Sequence, residues 1–168
     1  MRLALKRLFA YWIDFVILGT VLIGLQLLVY KIASGFPFDV FDEGYEIELW
    51  VLGTMSLPVW GYFIYFESRK QQTLGKKWLG LRVINAHGNP ISLRQAILRT
   101  AVRLLPWELT HWIVLVPEPW WNTQTPGNQS WIYLPNGILL LYLVIIFSAK
   151  GSLACHDHVA RTRVTEMD

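Results

Sequence analysis

Residues 131–148 read WIYLPNGILLLYLVIIFS, a run of 18 residues without a charged side chain. Residues 49–66, LWVLGTMSLPVWGYFIYF, form a second run of the same length and character. An α-helix rises about 1.5 Å per residue, so about 20 apolar residues cross the roughly 30 Å of hydrocarbon in a bilayer. Both runs therefore predict membrane-spanning helices.

Two further segments complete the predicted bundle. Residues 8–30 contain a single charged residue, Asp14, and we expect them to form the first span. Residues 96–116 are long enough for another span but contain three charged residues, which are Arg99, Arg103 and Glu108. We expect this segment to cross as the third span, and a helix lying in the membrane interface is the alternative.

The basic residues indicate the orientation of these spans, because Lys and Arg concentrate in cytoplasmic loops. With the N-terminus inside, 14 of the 15 Lys and Arg residues fall on the cytoplasmic side, and only Lys31 lies outside. A membrane surface accounts for the net charge of +3, and no nucleic-acid partner is expected. The prediction is a multi-pass, all-α membrane protein. It is one domain over residues 1–168, a four-transmembrane-helix bundle with both termini cytoplasmic.

The connection between the second and third spans, residues 67–95, contains signals for local structure. Residues 78–84 are rich in strand formers, and His87-Gly88-Asn89-Pro90 is typical of a turn. Ser92 followed by Gln95 is a capping box, which predicts a helix beginning there. We expect a short cytoplasmic strand or hairpin between helices 2 and 3.

Asp14 is the polar residue that most needs an explanation, since an ionisable group in hydrocarbon is costly. Arg7, Ala10 and Asp14 share one helix face by their spacing, and the small Ala10 allows close approach of another helix. In one interpretation Asp14 binds a cation or a proton. In the other it is paired with Arg99 or Arg103 and locks the helices together.

Two other groups of polar residues have competing interpretations. Glu108 and His111 lie one turn apart and either relay protons or form hydrogen bonds within the bundle. The tail sequence Cys155-His156-Asp157-His158 offers metal-ligating side chains, but consecutive ligands lack the usual metal-site spacing. No metal, no cofactor and no enzymatic activity are expected, because no nucleophile, base and orienting group stand together.

Three blocks of this sequence, in order, resemble the RDD family of membrane proteins, which is named for one arginine and two aspartates. The first block is RLFAYWID, residues 7–14. The second is TLGKKWLGLRV, residues 73–83, followed by Gly88 and by Leu98-Arg99-Thr100. The third is His156-Asp157 with ARTRV, residues 160–164. Leu74 and Arg161 depart from the family pattern, which usually has proline and glycine there.

The resemblance implies a multi-pass protein of the bacterial inner membrane. It also implies that Arg7, Asp14 and Asp157 are the motif residues, either as an ion site or as a structural network. It leaves open whether Arg7 pairs with Asp14 or with Asp157. The supporting candidates are Gly75, Lys76, Gly80, Arg82, Arg99, Arg103, His156 and Thr162.

Two functions are consistent with these residues. Some RDD proteins are implicated in cation/proton exchange, which implies a monovalent cation/proton exchanger or transporter subunit. In it Asp14 would titrate, Arg7 would modulate Asp14, and Asp157 would act as a gating carboxylate. The alternative is a non-catalytic membrane scaffold or assembly factor in which these residues join the tail to the bundle. Besides the lipid bilayer, the expected partner is a second copy of the chain or another membrane protein.

Overall fold

The computed structural model describes residues 1–116 and 129–167. Its main elements are helices, together with one two-stranded sheet. In chain order they are α1 (Arg2–Ile32), α2 (Gly44–Val51), α3 (Leu57–Tyr65), α4 (Leu74–Trp78), β1 (Leu81–Asn85), α5 (Leu93–Leu115), α6 (Tyr133–Ser148), α7 (Cys155–Ala160) and β2 (Thr162–Glu166).

Three helices in the described part of the chain are long and apolar enough to cross a membrane. They are Arg2–Ile32, Gly44–Lys70 and Ser130–Ser148, and they contain the predicted spans 8–30, 49–66 and 131–148. Their outer faces consist of large apolar side chains; Leu140, for example, is 63% exposed. In water such surfaces would be unfavourable, and in a bilayer they contact lipid.

The helix Gly44–Lys70 is continuous but not uniformly α-helical. It consists of α2 and α3 with π-helical segments at Leu52–Ser56 and Phe66–Lys70. The sequence prediction ended this span at Phe66, where the uncharged run stops. In the structure the helix continues past that point, and Glu67 lies in its last turns with no exposed surface.

Helix α5 covers almost all of the predicted span 96–116 and begins where the sequence indicated. The Ser92 hydroxyl accepts the Gln95 backbone N–H, and the Gln95 side chain accepts the Ser92 N–H, so the predicted capping box is formed. The helix has 23 residues, enough for roughly 34 Å. Its internal charges keep it outside the group of three strongly apolar helices.

The strand expected after the second span is present. The alternative prediction, a hairpin within residues 67–95, is wrong because β1 pairs with a distant strand. Strand β1 pairs antiparallel with β2 at the C-terminal end, with Val83 opposite Val164. The turn after β1 is closed by the Asn85 side chain, which accepts the backbone N–H groups of His87 and Asn89. The chain then enters the α5 cap, so no local second strand forms.

Two glycines, one in α4 and one before α7, pack closely against the backbone of α1. A Cβ atom at Gly75 would lie 2.0 Å from the carbonyl oxygen of Ala10, and one at Gly151 would lie 2.2 Å from the amide nitrogen of Ala4. Ala10 is therefore a site of close approach, as predicted, although the approaching element is the short helix α4. These contacts bring the central connection and the tail to the same end of α1.

Candidate functional site

Arg7 and Asp157 form a buried ion pair that joins the first helix to the C-terminal tail. Arg7 Nη2 donates to Asp157 Oδ2, and Arg7 Nη1 donates to the Gly151 carbonyl at 2.8 Å. The Arg7 side chain is 5% exposed and that of Asp157 is fully buried. Asp157 Oδ2 also accepts the Ala154 N–H at the start of α7, which fixes the carboxylate in place.

Arg99 on α5 connects this ion pair to a second carboxylate. Its Nη1 donates to Asp157 Oδ1 and to Thr162 Oγ1, and its Nε donates to Glu67 Oε2 at 2.9 Å. The whole side chain is buried. A guanidinium presents its donors in a rigid planar fork, so one arginine can bridge two carboxylates. Of the Arg99 side-chain nitrogens, only Nη2 has no hydrogen-bond partner among the described residues.

Glu67 is the carboxylate on which three cations converge. Besides Arg99, its Oε1 accepts from Lys76 Nζ at 2.5 Å and from Arg103 Nη2 at 2.7 Å. The Arg103 guanidinium also lies 4.6 Å from the centre of the Phe63 ring, a cation–π geometry. Sequence reasoning missed Glu67 because it appeared only as the residue that ends an apolar run.

Outside the membrane-spanning segments, burial and neighbouring charges shift the pKa values of three residues at this site. Burial alone would raise the pKa of Asp157, but Arg99 and Arg7 hold that pKa below its usual range. Burial lowers the pKa of the Lys76 ammonium to about 8, against the attraction of Glu67. Burial, reinforced by the nearby arginines, holds the pKa of His156 well below its usual range. At neutral pH the imidazole is therefore uncharged, with Nε2 3.5 Å from Arg7 Nη2.

Asp14 lies next to this network but is not paired with Arg99 or Arg103, so the interpretation that paired it with one of these arginines is wrong. Its Oδ1 accepts from the Tyr62 hydroxyl at 2.7 Å and from the Gly75 backbone N–H at 2.8 Å. Asp14 is 1% exposed, and its Oδ2 has no hydrogen-bond partner among the described residues. The two arginines donate instead to Glu67.

A cavity of about 130 Å³ lies beside Asp14 and the network. Its charged and polar lining includes Arg7, Asp14, Lys76, Arg103 and His156. Apolar side chains of α6, among them Leu139, Leu143 and Ile146, form another part of its wall. This volume is large enough for several water molecules.

The other candidates from the sequence have diverse positions. Gly75 is needed for close packing on α1 and supplies an N–H to Asp14. Gly80 has a positive φ of 65° at the turn into β1, and its carbonyl accepts the Met167 N–H. Arg82 is exposed on β1 and is not one of the residues that form the network. Thr162 contributes its hydroxyl to Arg99 and Asp157.

Glu108 and His111 lie elsewhere along α5 and contact different residues. Glu108 accepts hydrogen bonds from the Ser56 hydroxyl at 3.0 Å and from the Trp60 indole at 2.9 Å. The predicted bonding of Glu108 within the bundle is therefore present. The His111 ring packs against Trp107, with ring centres 4.5 Å apart.

This geometry defines a class of protein: a membrane-embedded helical protein whose first helix, central connection and tail are joined by one buried ionic network. The RDD family model matches residues 2–161. The chain belongs to the RDD family, as the three sequence blocks indicated. No curated protein and no solved structure matches the chain.

Proposed function

We propose that this chain is a proton- or monovalent-cation-binding membrane transporter, or a subunit of one, and that Asp14 is the binding carboxylate. The observation that carries the proposal is the state of Asp14. Its Oδ2 is buried, has no hydrogen-bond partner among the described residues, and belongs to a residue that lines a cavity. A buried ionisable group inside a span is costly, so a half-satisfied one favours an exchangeable ligand.

The ionic network has a different role in this proposal. Asp157 and Glu67 are each bound by two or more cationic side chains, so their oxygens are already engaged. Such carboxylates are poor candidates for gating, and Arg7 pairs with Asp157 and not with Asp14. The network instead fixes the positions of α1, α4 and α5 around the cavity.

The proposed topology is four crossings, with both termini on the cytoplasmic side of a bacterial inner membrane. The asymmetry of the 15 basic residues supports the orientation. The pairing of Arg99 and Arg103 with acidic partners supports α5 as a crossing helix, because those charges are neutralised inside the protein. Four spans leave little room for a complete pathway, so we propose a homo-oligomer or a complex with another membrane protein.

The test is ion flux in proteoliposomes that contain the purified chain. Wild type is expected to show pH-dependent flux of a monovalent cation, and Asp14→Asn is expected to abolish it. The asparagine Oδ1 can still accept from Tyr62 and Gly75, so the substitution removes the charge while keeping both hydrogen bonds. Asp42→Asn, at an exposed acidic residue, is the matched control and should retain wild-type flux.

Two results would contradict the transport proposal. One is the absence of cation or proton flux in wild type across a range of pH gradients. The other is undiminished flux in Asp14→Asn, provided that the variant is as well folded as the control by size-exclusion chromatography.

A second candidate function is a non-catalytic scaffold or assembly factor, and it is favoured by the saturation of the network. Arg7, Arg99 and Asp157 connect three distant parts of the chain and expose almost no surface. In that case wild type would show no flux, while a stable partner would copurify after crosslinking in membranes. Asp14→Asn would leave that complex intact, which separates the two functions.

A further inference from the structure

A second group of ionisable side chains lies far along the bundle from the Arg7–Asp157 pair. Glu48, Glu108 and His111 each offer a ligand atom, and these atoms lie within 4.8 Å of one another. Glu48 belongs to the first turns of α2, and the other two are one turn apart on α5. About 28 Å of helix separates Glu48 from Glu67, from the rise per residue of an α-helix.

Glu48 is the group that requires an explanation. It is 2% exposed, and neither carboxylate oxygen has a hydrogen-bond partner among the described residues. Nor does any ion pair within those residues include it. The nearby groups are a second carboxylate and an imidazole whose Nδ1 also lacks a partner. Two neighbouring carboxylates repel each other in a medium of low dielectric, so a positive charge between them would be strongly favourable.

The packing of α2 on α5 makes this arrangement possible. A Cβ atom at Gly44 would lie 1.9 Å from the Leu115 carbonyl oxygen, so glycine allows the two helices to meet at their ends. One turn later, Glu48 faces the side of α5 that carries Glu108 and His111. The acidic side chain is therefore brought toward the other two by backbone packing.

Glu108 is held as metal-binding carboxylates commonly are. Hydrogen bonds from Ser56 and Trp60, at 3.0 and 2.9 Å, fix its orientation. Each carboxylate oxygen has two acceptor positions, so one on each remains available for a metal ion. Ligands of a tetrahedral ion at about 2.0–2.1 Å lie about 3.4 Å apart, so ligand atoms within 4.8 Å of one another need to close by at most about 1.4 Å.

We propose that Glu48, Glu108 and His111 bind a divalent transition-metal ion. The imidazole decides the class of ion, because Ca²⁺ and Mg²⁺ prefer all-oxygen ligands whereas Zn²⁺ accepts nitrogen and carboxylate oxygen together. Three protein ligands leave a fourth position for water. The site is independent of Asp14 and of the transport proposal, since it uses none of the same side chains.

The experiment measures Zn²⁺ binding to the full chain in detergent, with the affinity tag removed and bound metal first stripped by a chelator. Calorimetric titration with Zn²⁺ alone is expected to give about one site per chain. Glu48→Gln and His111→Ala are each expected to weaken binding by at least about tenfold. The matched controls are Asp42→Asn and His87→Ala, at exposed residues, which should bind as wild type does.

Thermal unfolding provides a second readout that does not depend on an activity. Zn²⁺ at 100 times its Kd is expected to raise the wild-type Tm by about 5–10 °C. Glu48→Gln relieves repulsion between the two carboxylates, so without metal its Tm should equal or exceed that of wild type. Its Zn²⁺-dependent shift should be lost, which distinguishes a lost site from a misfolded protein.

Two outcomes would overturn the proposal. If wild type binds no Zn²⁺, the positive charge between the carboxylates is a shared proton and not a metal ion. If Glu48→Gln and His111→Ala bind Zn²⁺ as tightly as wild type does, the metal is held elsewhere, for example by the Cys155-His156-Asp157-His158 segment.

Discussion

Arg7, near the start of α1, and Asp157, in α7, form a buried ion pair although they are 150 positions apart in the chain. The pair makes the C-terminal tail part of the membrane bundle. Asp157 also accepts a hydrogen bond from Arg99, so the tail is bound to α5 as well as to α1. The arginine and the second aspartate of the family motif are thus one structural unit, and Asp14 is separate from it.

Asp157→Asn is expected to destabilise the protein by about 3–5 kcal/mol, the usual cost of removing one partner from a buried ion pair. The asparagine keeps one acceptor oxygen, so its amide N–H donors would face either Arg7 or Arg99, and an arginine has only donors to offer. Thermal unfolding in detergent checks this. Lys6→Ala, which breaks the partly exposed Lys6–Glu166 pair, should change the Tm very little.

The same geometry predicts that exchanging the two charges does not rescue the protein. In Arg7→Asp with Asp157→Arg, the new arginine would face Arg99, so stability should be no better than in Asp157→Asn alone. Recovery of wild-type Tm in the double variant would show that Arg99 is not an obligatory partner of Asp157.

Lys76 is expected to give the protein a distinctive dependence on pH. Its pKa is about 8 in the folded state, because of burial, and 10.5 is the ordinary value. Between these pH values the unfolded chain holds a proton that the folded chain has lost, so this residue's contribution to stability increases with pH. Below pH 8 the contribution is constant.

The measurement compares the free energy of unfolding of wild type and Lys76→Met from pH 7 to 10.5. The difference should shift in favour of wild type by up to about 3 kcal/mol as the pH rises above 8. Lys77→Met, at the exposed neighbouring lysine, is the control and should follow the wild-type profile. A pH-independent difference for Lys76→Met would contradict the assigned protonation change.

Gly75→Ala is expected to disrupt the docking of α4 on α1. The added Cβ would lie 2.0 Å from a backbone oxygen of Ala10, and backbone cannot move aside as a flexible side chain can. We expect a loss of about 1–3 kcal/mol or more. Gly61→Ala has open space around its Cβ within α3 and should be neutral or slightly stabilising, because alanine favours helix. Equal effects of the two substitutions on thermal unfolding would refute this explanation.

Features set by neighbouring residues could be predicted from the sequence. The uncharged runs located three helices, and Ser92 with Gln95 located the start of α5. The helical spacing of Arg7, Ala10 and Asp14 placed them on one buried face, which the structure confirms. Each of these depends on local composition or on periodicity, and both are visible in a single chain.

The pairing of distant residues could not be predicted in the same way. Spacing shows which side chains share a helix face, but not which other helix that face meets. Glu67 therefore looks like the end of a span in the sequence. One interpretation pairs Asp14 with an arginine, whereas its partners are Tyr62 and the Gly75 amide. Glu48 only precedes the second uncharged run in the sequence, yet packing at Gly44 brings it to Glu108 and His111.

The four-span arrangement depends on α5 crossing the membrane, and single-cysteine labelling tests this most directly. In a Cys155→Ser background, His87→Cys precedes α5 and Ser130→Cys precedes α6, both at exposed residues. With a membrane-impermeant maleimide on spheroplasts, Ser130→Cys should be labelled at once, whereas His87→Cys should be labelled only after permeabilisation. Labelling of both positions from the same side would show that α5 does not cross and would contradict the four-span arrangement.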